Sequence, residues 1–301
     1  MMCENAVNAR VPVAVPGARG SSPLLKKVAG AVAATAALGA ATAAYGHFIE
    51  LNNFQLRTES LPVLPAGSPD FRILHISDMH MIPGQQKKID FMHSLAALEP
   101  DLVMNTGDNL SHVDGMGPLL EALDPLMDFP GVFVPGSNCY FAPVFKNPAR
   151  YLWQPRTPQM IEEGSRVALP IERMHEAFES RGWTGLVNRY DTLNLKGLRL
   201  EFSGVDDPHL RYDEHPGFAP GAFDEGQEPS VRIGVAHAPY MRTLHRFVQD
   251  GAQAIFAGHT HGGQVCLPGG HALVSNCDLP PSRAKGVSEQ SGIPVQVSAG
   301  L

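Results

Sequence analysis

The chain has 301 residues, of which 44% are hydrophobic and 18% charged, with a net charge of −7 and an isoelectric point near 6.0. This composition excludes a disordered or fibrous protein and is sufficient for one sizeable α/β core. The acidic balance argues against a protein that binds nucleic acid through its phosphates, because such a protein needs a basic surface. The four cysteines form no CxxC pair, so neither a structural zinc site nor a dense disulfide scaffold is expected.

The N-terminal region predicts a membrane anchor. A leader, residues 1–27, ends in two lysines and precedes an uncharged, alanine-rich stretch, residues 28–46, which is nearly long enough to span a bilayer. The basic flank would stay in the cytoplasm and place the rest of the chain on the extracytoplasmic side. Two alternatives stay open: a cleaved signal peptide, which would give a secreted protein, and a flexible leader or soluble helix. Residues 47–70 are predicted to be a linker.

From residue 71 onwards, short apolar runs alternate with segments that have helical spacing. The helices are predicted around Ile89–Leu98 and around Met241–Val248. The apolar runs predict strands at Phe71–Ile76, Asp101–Asn105, Val132–Val134, Leu198–Val205, Val231–Ala236 and Ala254–Ala257. This alternation predicts a layered α/β domain over residues 71–301. Two long segments, 140–170 and 208–229, are predicted to be lids or insertions.

Five polar motifs follow these runs, and each lies where a strand is predicted to end. Together they supply two carboxylates, one amide and four imidazoles, which are ligands that divalent transition metals prefer. The motifs are Asp78-Met79-His80, Gly107-Asp108, Gly136-Ser137-Asn138, His237, and Gly258-His259-Thr260-His261. Because open α/β sheets place their chemistry at the carboxyl ends of the strands, the motifs predict one metal centre at that edge.

In their order, these motifs resemble the calcineurin-like metallophosphoesterase superfamily. The chain from Phe71 to Leu301 is most similar to the membrane-associated bacterial branch of the YkuE and YaeI type, which is related to UDP-2,3-diacylglucosamine hydrolases. The resemblance implies a four-layer αββα sandwich and two divalent ions, which these ligands would accept as Mn, Fe, Zn or Co. It also implies the ligand sets: Asp78, His80 and His261 for the first ion, Asn138, His237 and His259 for the second, and Asp108 as the bridge.

Two such ions, about 3.5–4 Å apart, lower the pKa of a shared water towards about 7, so a bridging hydroxide would attack phosphorus in line. Asp108 and Asn138 are therefore also catalytic candidates. Cys139 is a third, because many family members have a histidine at its position that protonates the leaving group. His209 is a fourth, in the segment Asp206–His209, which either hangs over the site or forms an ordinary turn.

The function expected from this resemblance is metal-dependent hydrolysis of a phosphoester or phosphoanhydride bond. A thiol is a poorer acid than an imidazolium at neutral pH, so a leaving group that is stable as an anion is favoured. The anchor favours a phosphorylated small-molecule or lipid substrate, with UDP-2,3-diacylglucosamine as an example. The alternatives are a catalytically weak metal-binding scaffold and a protein phosphatase. Family members usually continue about one strand pair past the segment Ser298–Leu301, so the domain is expected to be short at its C-terminus.

Overall fold

The computed structural model describes residues 23–49, 52–143, 166–219, 230–267 and 271–301. The chain divides into two units, Met1–Asn53 and Phe54–Leu301. In the first unit, helix α1 (Pro23–Phe48) contains a segment, Lys26–Gly46, that is long and apolar enough to cross a membrane. A signal sequence near an N-terminus has the same length and composition, so these two properties do not separate an anchor from a cleaved leader. Most of the predicted leader lies outside the described residues.

The second unit alternates strands and helices, as the apolar runs predict. Its helices are α2 (Gln86–Ser94), α3 (Met116–Leu123), α4 (Ser137–Tyr140), α5 (Ile171–Ser180) and α6 (Met241–Gln249), with 3-10 turns at Leu95–Leu98, Asp124–Leu126 and Pro281–Arg283. Its strands are β1 (Ile73–Ile76), β2 (Leu102–Asn105), β3 (Gly131–Phe133), β4 (Thr184–Gly185), β5 (Arg189–Leu195), β6 (Leu198–Gly204), β7 (Ser230–Val235), β8 (Ala254–Ala257), β9 (Val265–Leu267), β10 (His271–Val274), β11 (Gly286–Gln290) and β12 (Ile293–Val297).

The strands form two main sheets. The first is parallel and has the order β1-β2-β3-β4, and the second has the order β11-β12-β8-β7-β6-β5. In the second sheet the central strands β12, β8, β7 and β6 are parallel, while β11 and β5 lie antiparallel at its two edges. Strands β9 and β10 form a separate antiparallel hairpin.

Alternating side chains along the strands divide the core into layers. In β2, Leu102 and Met104 pack between the two sheets, whereas Val103 packs against the helices on the outer face of the first sheet. In β8, Phe256 packs between the sheets and Ile255 faces α6. Helices α2, α3 and α5 cover the first sheet and α6 covers the second. This order of layers confirms the predicted four-layer αββα sandwich.

Two segments differ from the expectation in detail. The predicted helix Ile89–Leu98 tightens into a 3-10 turn after Ser94 and ends at Glu99, whose φ is 47°. The residue before a proline avoids the α region, and Pro100 follows Glu99. In the predicted linker 47–70, Leu61, Val63 and Leu64 pack against the layer between the two sheets, so this segment is partly integrated into the domain. Residues 144–165 and 220–229, which belong to the two predicted insertions, lie outside the described part of the chain.

Candidate metal centre

The predicted ligands gather at the carboxyl ends of strands from both sheets. They follow β1 (Asp78, His80), β2 (Asp108), β3 (Asn138), β7 (His237) and β8 (His259, His261). The backbone N–H of Asp78 donates to Gly107 O at 2.8 Å, which joins the first two loops. The N–H of His259 donates to Asp78 Oδ2 at 2.9 Å, so the ends of the two sheets meet at this point.

The backbone of these loops is strained at the ligand positions. Ten non-glycine residues in the described part of the chain have positive φ, and five of them are predicted ligands. Those five are Asp78 (54°), His80 (46°), Asp108 (53°), His259 (72°) and His261 (51°). A non-glycine residue with positive φ has a conformational free-energy cost that the surrounding structure must offset. Such residues concentrate at functional sites. The strain is therefore independent support for a site at this edge.

Two motif glycines let the loops approach each other. A Cβ at Gly258 would collide with Ser77 Oγ and lie 2.7 Å from Asp78 Oδ2. A Cβ at Gly136 would collide with Asp108 Oδ1 and lie 2.6 Å from ring carbons of His237. Only glycine fits at these two positions, because a side chain there would displace a predicted ligand.

The first subsite consists of Asp78, His80 and His261, whose ligand atoms lie within 4.8 Å of one another. Nε2 of His80 lies 3.2 Å from Nε2 of His261, and Nε2 of His261 lies 3.4 Å from Asp78 Oδ1. The subsite is partly open: the side chain of His80 is 23% exposed and that of His261 is 36% exposed.

The second subsite consists of Asp108, His237 and His259, and all three residues are buried. Nε2 of His237 lies 3.3 Å from Asp108 Oδ2 and 3.2 Å from Nδ1 of His259. Asn138 also contacts this subsite, because its backbone N–H and its Nδ2 both donate to the Asp108 carboxylate at 2.7 Å. Cation binding through Oδ1 of Asn138 requires its amide to turn, since Nδ2 faces the carboxylate.

Asp108 lies between the two subsites. Its Oδ2 is 3.3 Å from His237 Nε2 and 3.9 Å from His80 Nε2. Because an aspartate has two oxygens, it can bind one ion with each of them or share one oxygen between both. This position matches the bridging role that the resemblance implies.

The donor atoms fit divalent cations. The Nδ1 atoms of His237 and His80 are hydrogen-bonded to Thr106 O (2.7 Å) and Ser111 Oγ (2.9 Å), which leaves the Nε2 atoms to face the centre. Such outer partners orient metal-binding imidazoles. Among the described residues, Asp78 Oδ1 and His259 Nε2 are buried without a hydrogen bond. A cation that binds Asp78 Oδ1 would satisfy this buried charge.

The electrostatics of the metal-free site depend on Asp108. Burial alone would lower the pKa of His237, but the nearby carboxylates, chiefly Asp108, raise it to about 10. Burial alone would raise the pKa of Asp108. The contact with His237 more than reverses this effect, so the pKa of Asp108 lies well below its usual value. Burial, reinforced by His209 and His237, keeps the pKa of His259 well below its usual value, so this imidazole is neutral. A divalent cation would take the place of the proton on His237.

The two remaining catalytic candidates lie in different surroundings. Cys139 is fully buried among core side chains, its Sγ accepts a hydrogen bond from Asn109 N at 3.4 Å, and burial with the charge of Asp108 raises its pKa to about 12. These contacts do not favour an acid role for the thiol. The ring of His209 lies 4.7 Å from the ring of His259, and its Nδ1 is 3.0 Å from Tyr240 Oη, so His209 does lie beside the second subsite.

Two tyrosines near the site were not predicted from the sequence, whereas Asp207 belongs to the predicted segment Asp206–His209. Tyr240 supports His209, and Tyr140 donates to the Asp206 carboxylate at 2.8 Å. Asp207 is buried, and burial raises its pKa to about 7. The tyrosines carry no metal-ligand signal, and only their position next to motif residues could have suggested them.

Comparisons with known proteins found one similar bacterial sequence and several similar solved structures. The chain is 27% identical over 215 residues to an uncharacterised protein, YpbG, of Bacillus subtilis (strain 168), which covers 70% of this chain and 69% of that protein. Among solved structures, it aligns with TT1561 of Thermus thermophilus (12% identity, 77% of this chain and 90% of that chain, TM-score 0.41). It also aligns with GAP50, the anchor in the inner membrane complex of Plasmodium (11% identity, 76% and 71%, TM-score 0.36).

The sequence profile of one family, the calcineurin-like phosphoesterases, covers residues 71–263, which is more than half of the chain. The matched region begins just before β1 and ends just after His261, so it contains all seven predicted ligands. The chain therefore belongs to the calcineurin-like phosphoesterase family.

Proposed function

We propose that this protein hydrolyses phosphoester or phosphoanhydride bonds with two divalent ions. The observation that carries the proposal is the pair of adjacent ligand groups with Asp108 between them, in a chain of this family. Asp78, His80 and His261 would hold the first ion, Asn138, His237 and His259 would hold the second, and Asp108 would contact both. The chemistry that such a pair supplies is activation of a water molecule and neutralisation of phosphoryl charge.

The chain's own residues prepare this chemistry. Thr106 O holds the ring of His237, and the backbone N–H of Asn138 holds the Asp108 carboxylate. The left-handed loop at Asp78 and His80 brings both side chains into one crevice before any ligand binds. Preorganised groups of this kind lower the barrier because they need no rearrangement during the reaction.

The substrate is proposed to have a leaving group that is stable as an anion. The Cys139 thiol is buried in the core, and its pKa of about 12 makes it a weak acid at neutral pH. His209 lies beside His259, and we assign to it contact with the substrate on the side of the second subsite. A phosphoanhydride or an activated diester meets these conditions better than an alkyl diester does.

The proposed substrate is lipid-linked or nucleotide-linked, of the type of UDP-2,3-diacylglucosamine. Helix α1 contains a segment that is long and apolar enough to anchor the protein, which would bring the catalytic unit to lipid substrates on the extracytoplasmic side. The resemblance to the YkuE and YaeI branch supports the same location. These are the finer parts of the proposal, and they depend on the hydrolytic function.

The test is a substrate panel with Mn-loaded protein and with the Asp108→Asn variant as the control. We expect Mn-dependent hydrolysis of an aryl phosphodiester and of a nucleotide-linked lipid, both lost in the variant. Two bound Mn ions without turnover of any substrate would identify a metal-binding scaffold. Phosphopeptide turnover above diester turnover would identify a protein phosphatase.

The leaving group is tested separately with a series of aryl diesters whose phenols differ in pKa. We expect the rate to fall steeply as the pKa of the phenol rises, because the Cys139 thiol is too weak an acid to offset the developing charge. The Cys139→His variant should flatten this dependence if its imidazole reaches the leaving group. A wild-type rate that is independent of the phenol's pKa contradicts the proposal.

A further inference from the structure

Lys88 of α2 is a buried lysine next to the first subsite. Only 6% of its surface is exposed, and its Nζ donates to the carbonyl oxygen of Met79 at 2.5 Å. Lysines are almost never this buried without a partner. The adjacent Lys87 is exposed. Burial lowers the pKa of Lys88 to about 8, so the ammonium group remains mostly charged at pH 7.

The carbonyl that Lys88 binds belongs to the most constrained part of the site. Met79 lies between Asp78 (φ 54°) and His80 (φ 46°), so both of the predicted ligands that flank it have a left-handed backbone. The N–H groups of Asp78, His80 and Met81 donate to the loop that carries Asp108. Lys88 Nζ is the side-chain donor to the Met79 carbonyl, on the face of the loop towards α2.

We infer that Lys88 is a positioning residue that holds the Asp78–His80 loop in its left-handed conformation and thereby sets the geometry of the first subsite. Its hydrogen bond orients the peptide unit between Met79 and His80, and this orientation determines where the His80 ring points. Without this donor, the Met79 carbonyl would be buried and unpaired, and the loop would relax towards a less strained backbone. The inference rests on the proposed two-metal function.

The effect on the two subsites should be unequal. Asp78 and His80 belong to the first subsite, while His237 and His259 follow strands of the second sheet and share no hydrogen bond with Lys88 among the described residues. Loss of an outer partner typically weakens metal binding 10–100-fold. We therefore expect weaker binding of one ion and an unchanged affinity for the other.

The experiment measures Mn binding by calorimetry in the full chain. In Lys88→Met, which keeps a side chain of similar length, we expect the affinity of one of the two sites to fall at least about tenfold and that of the other to stay within about twofold. Lys88→Arg, which keeps a charged donor, should restore most of the affinity, and Lys87→Met is the matched control. The effect of Lys88→Met should be absent in a His261→Ala background, because both changes act on one subsite.

A second measurement requires no metal. Amide hydrogen exchange of chelator-treated protein should be about tenfold faster at His80 and Met81 in Lys88→Met than in wild type, and unchanged at Leu244 of α6. The inference would be overturned if Lys88→Met weakened both Mn sites equally or weakened neither, and if exchange at His80 was unchanged in the same variant. Wild-type protein that binds no Mn would instead contradict the proposed function, and the exchange measurement would still test the role of Lys88.

Discussion

The two subsites of the metal centre differ in their access to solvent. His80 and His261 of the first subsite have side chains that are 23% and 36% exposed, whereas His237 of the second is fully buried and His259 is 4% exposed. The ring of His80 in the first subsite is held by the Ser111 hydroxyl, and the ring of His237 in the second is held by a backbone carbonyl. We therefore expect the ion of the first subsite to exchange faster.

The largest effect is expected from Asp108→Asn, which should prevent metal binding at both subsites. Asp108 contacts His80 on one side and His237 on the other. The variant should lose both Mn ions, and the rate of hydrolysis should fall by about 1,000-fold or more, since metal stabilisation of phosphoryl charge contributes several kcal/mol. Metal content and initial rates measure this. Asp114→Asn is the control, because Asp114 lies in the same loop and its side chain is 76% exposed.

A second prediction separates the subsites by their burial. His237→Ala should weaken Mn binding and also reduce the free energy of unfolding of the metal-free protein by about 2 kcal/mol or more, because it removes a buried side chain and leaves Asp108 without its partner. His261→Ala should weaken Mn binding about as much but change the unfolding free energy by only about 0.5 kcal/mol. Calorimetry and urea unfolding measure both effects. Equal losses of stability would show that the difference in burial has no energetic consequence.

A third prediction uses pH to reveal the buried pair. The pKa of His237, about 10 in the metal-free protein, lies above its ordinary value of 6.5. Its stabilising contribution is therefore fully present below pH 6.5 and is lost as the pH rises towards 10. From pH 7 to 8, the contribution of His237 to the free energy of unfolding of chelator-treated protein should fall by about 1 kcal/mol. The pKa of Asp207 is raised to about 7, so its contribution to stability also falls with rising pH, but mainly below pH 7. The pKa of Lys88 is lowered to about 8, so its effect is a rise in stability that occurs mainly above pH 8.

Urea unfolding at the two pH values measures this slope, and His237→Asn should remove it. The exposed His112 provides a control, since His112→Asn should leave the slope unchanged. Mn affinity should rise over the same range, because the ion replaces the proton on His237. An equal change between pH 7 and 8 in wild type and in His237→Asn would contradict the assignment of a protonated His237.

The smallest effect on activity is expected at Cys139, which lies behind the second subsite in the core. Cys139→Ala should change the rate of hydrolysis of an activated diester by less than about threefold, because the thiol is not an acid near neutral pH. The free energy of unfolding should fall by about 1 kcal/mol through lost packing. A loss of activity above tenfold, with stability retained, would return Cys139 to the catalytic candidates.

Much of the fold could be predicted from hydrophobic periodicity. The strands β1, β2, β3, β6, β7 and β8 lie within one or two residues of the apolar runs, because buried parallel strands carry continuous apolar sequence. The edge strands β5 and β11 and the hairpin β9–β10 were not predicted. Their faces alternate between exposed and partly buried residues, so their apolar signal is weak. Cross-strand pairing, which a local pattern does not contain, defines them.

The predicted ligands illustrate the same division. The motifs predicted which side chains could bind metal ions, because those residue types at strand ends are unusual. The motifs did not indicate that His237 is buried while His261 is exposed, nor that Cys139 packs into the core. Lys88 and Tyr240 were also missed, because a single lysine or tyrosine in a helix or loop has no distinctive spacing. Their significance comes from contacts with residues far away in the chain.

By itself, the sequence determined the order of strands and helices and the chemical identity of the ligands, because both follow from local residue types and their period. Tertiary structure decided which of these residues share a subsite, which proton or cation they can hold and which neighbours constrain them. Asp78 and His259 are separated by 181 positions and are joined by one hydrogen bond. Their proximity results from the packing of two sheets, and burial and electrostatic coupling exist only after that packing has formed.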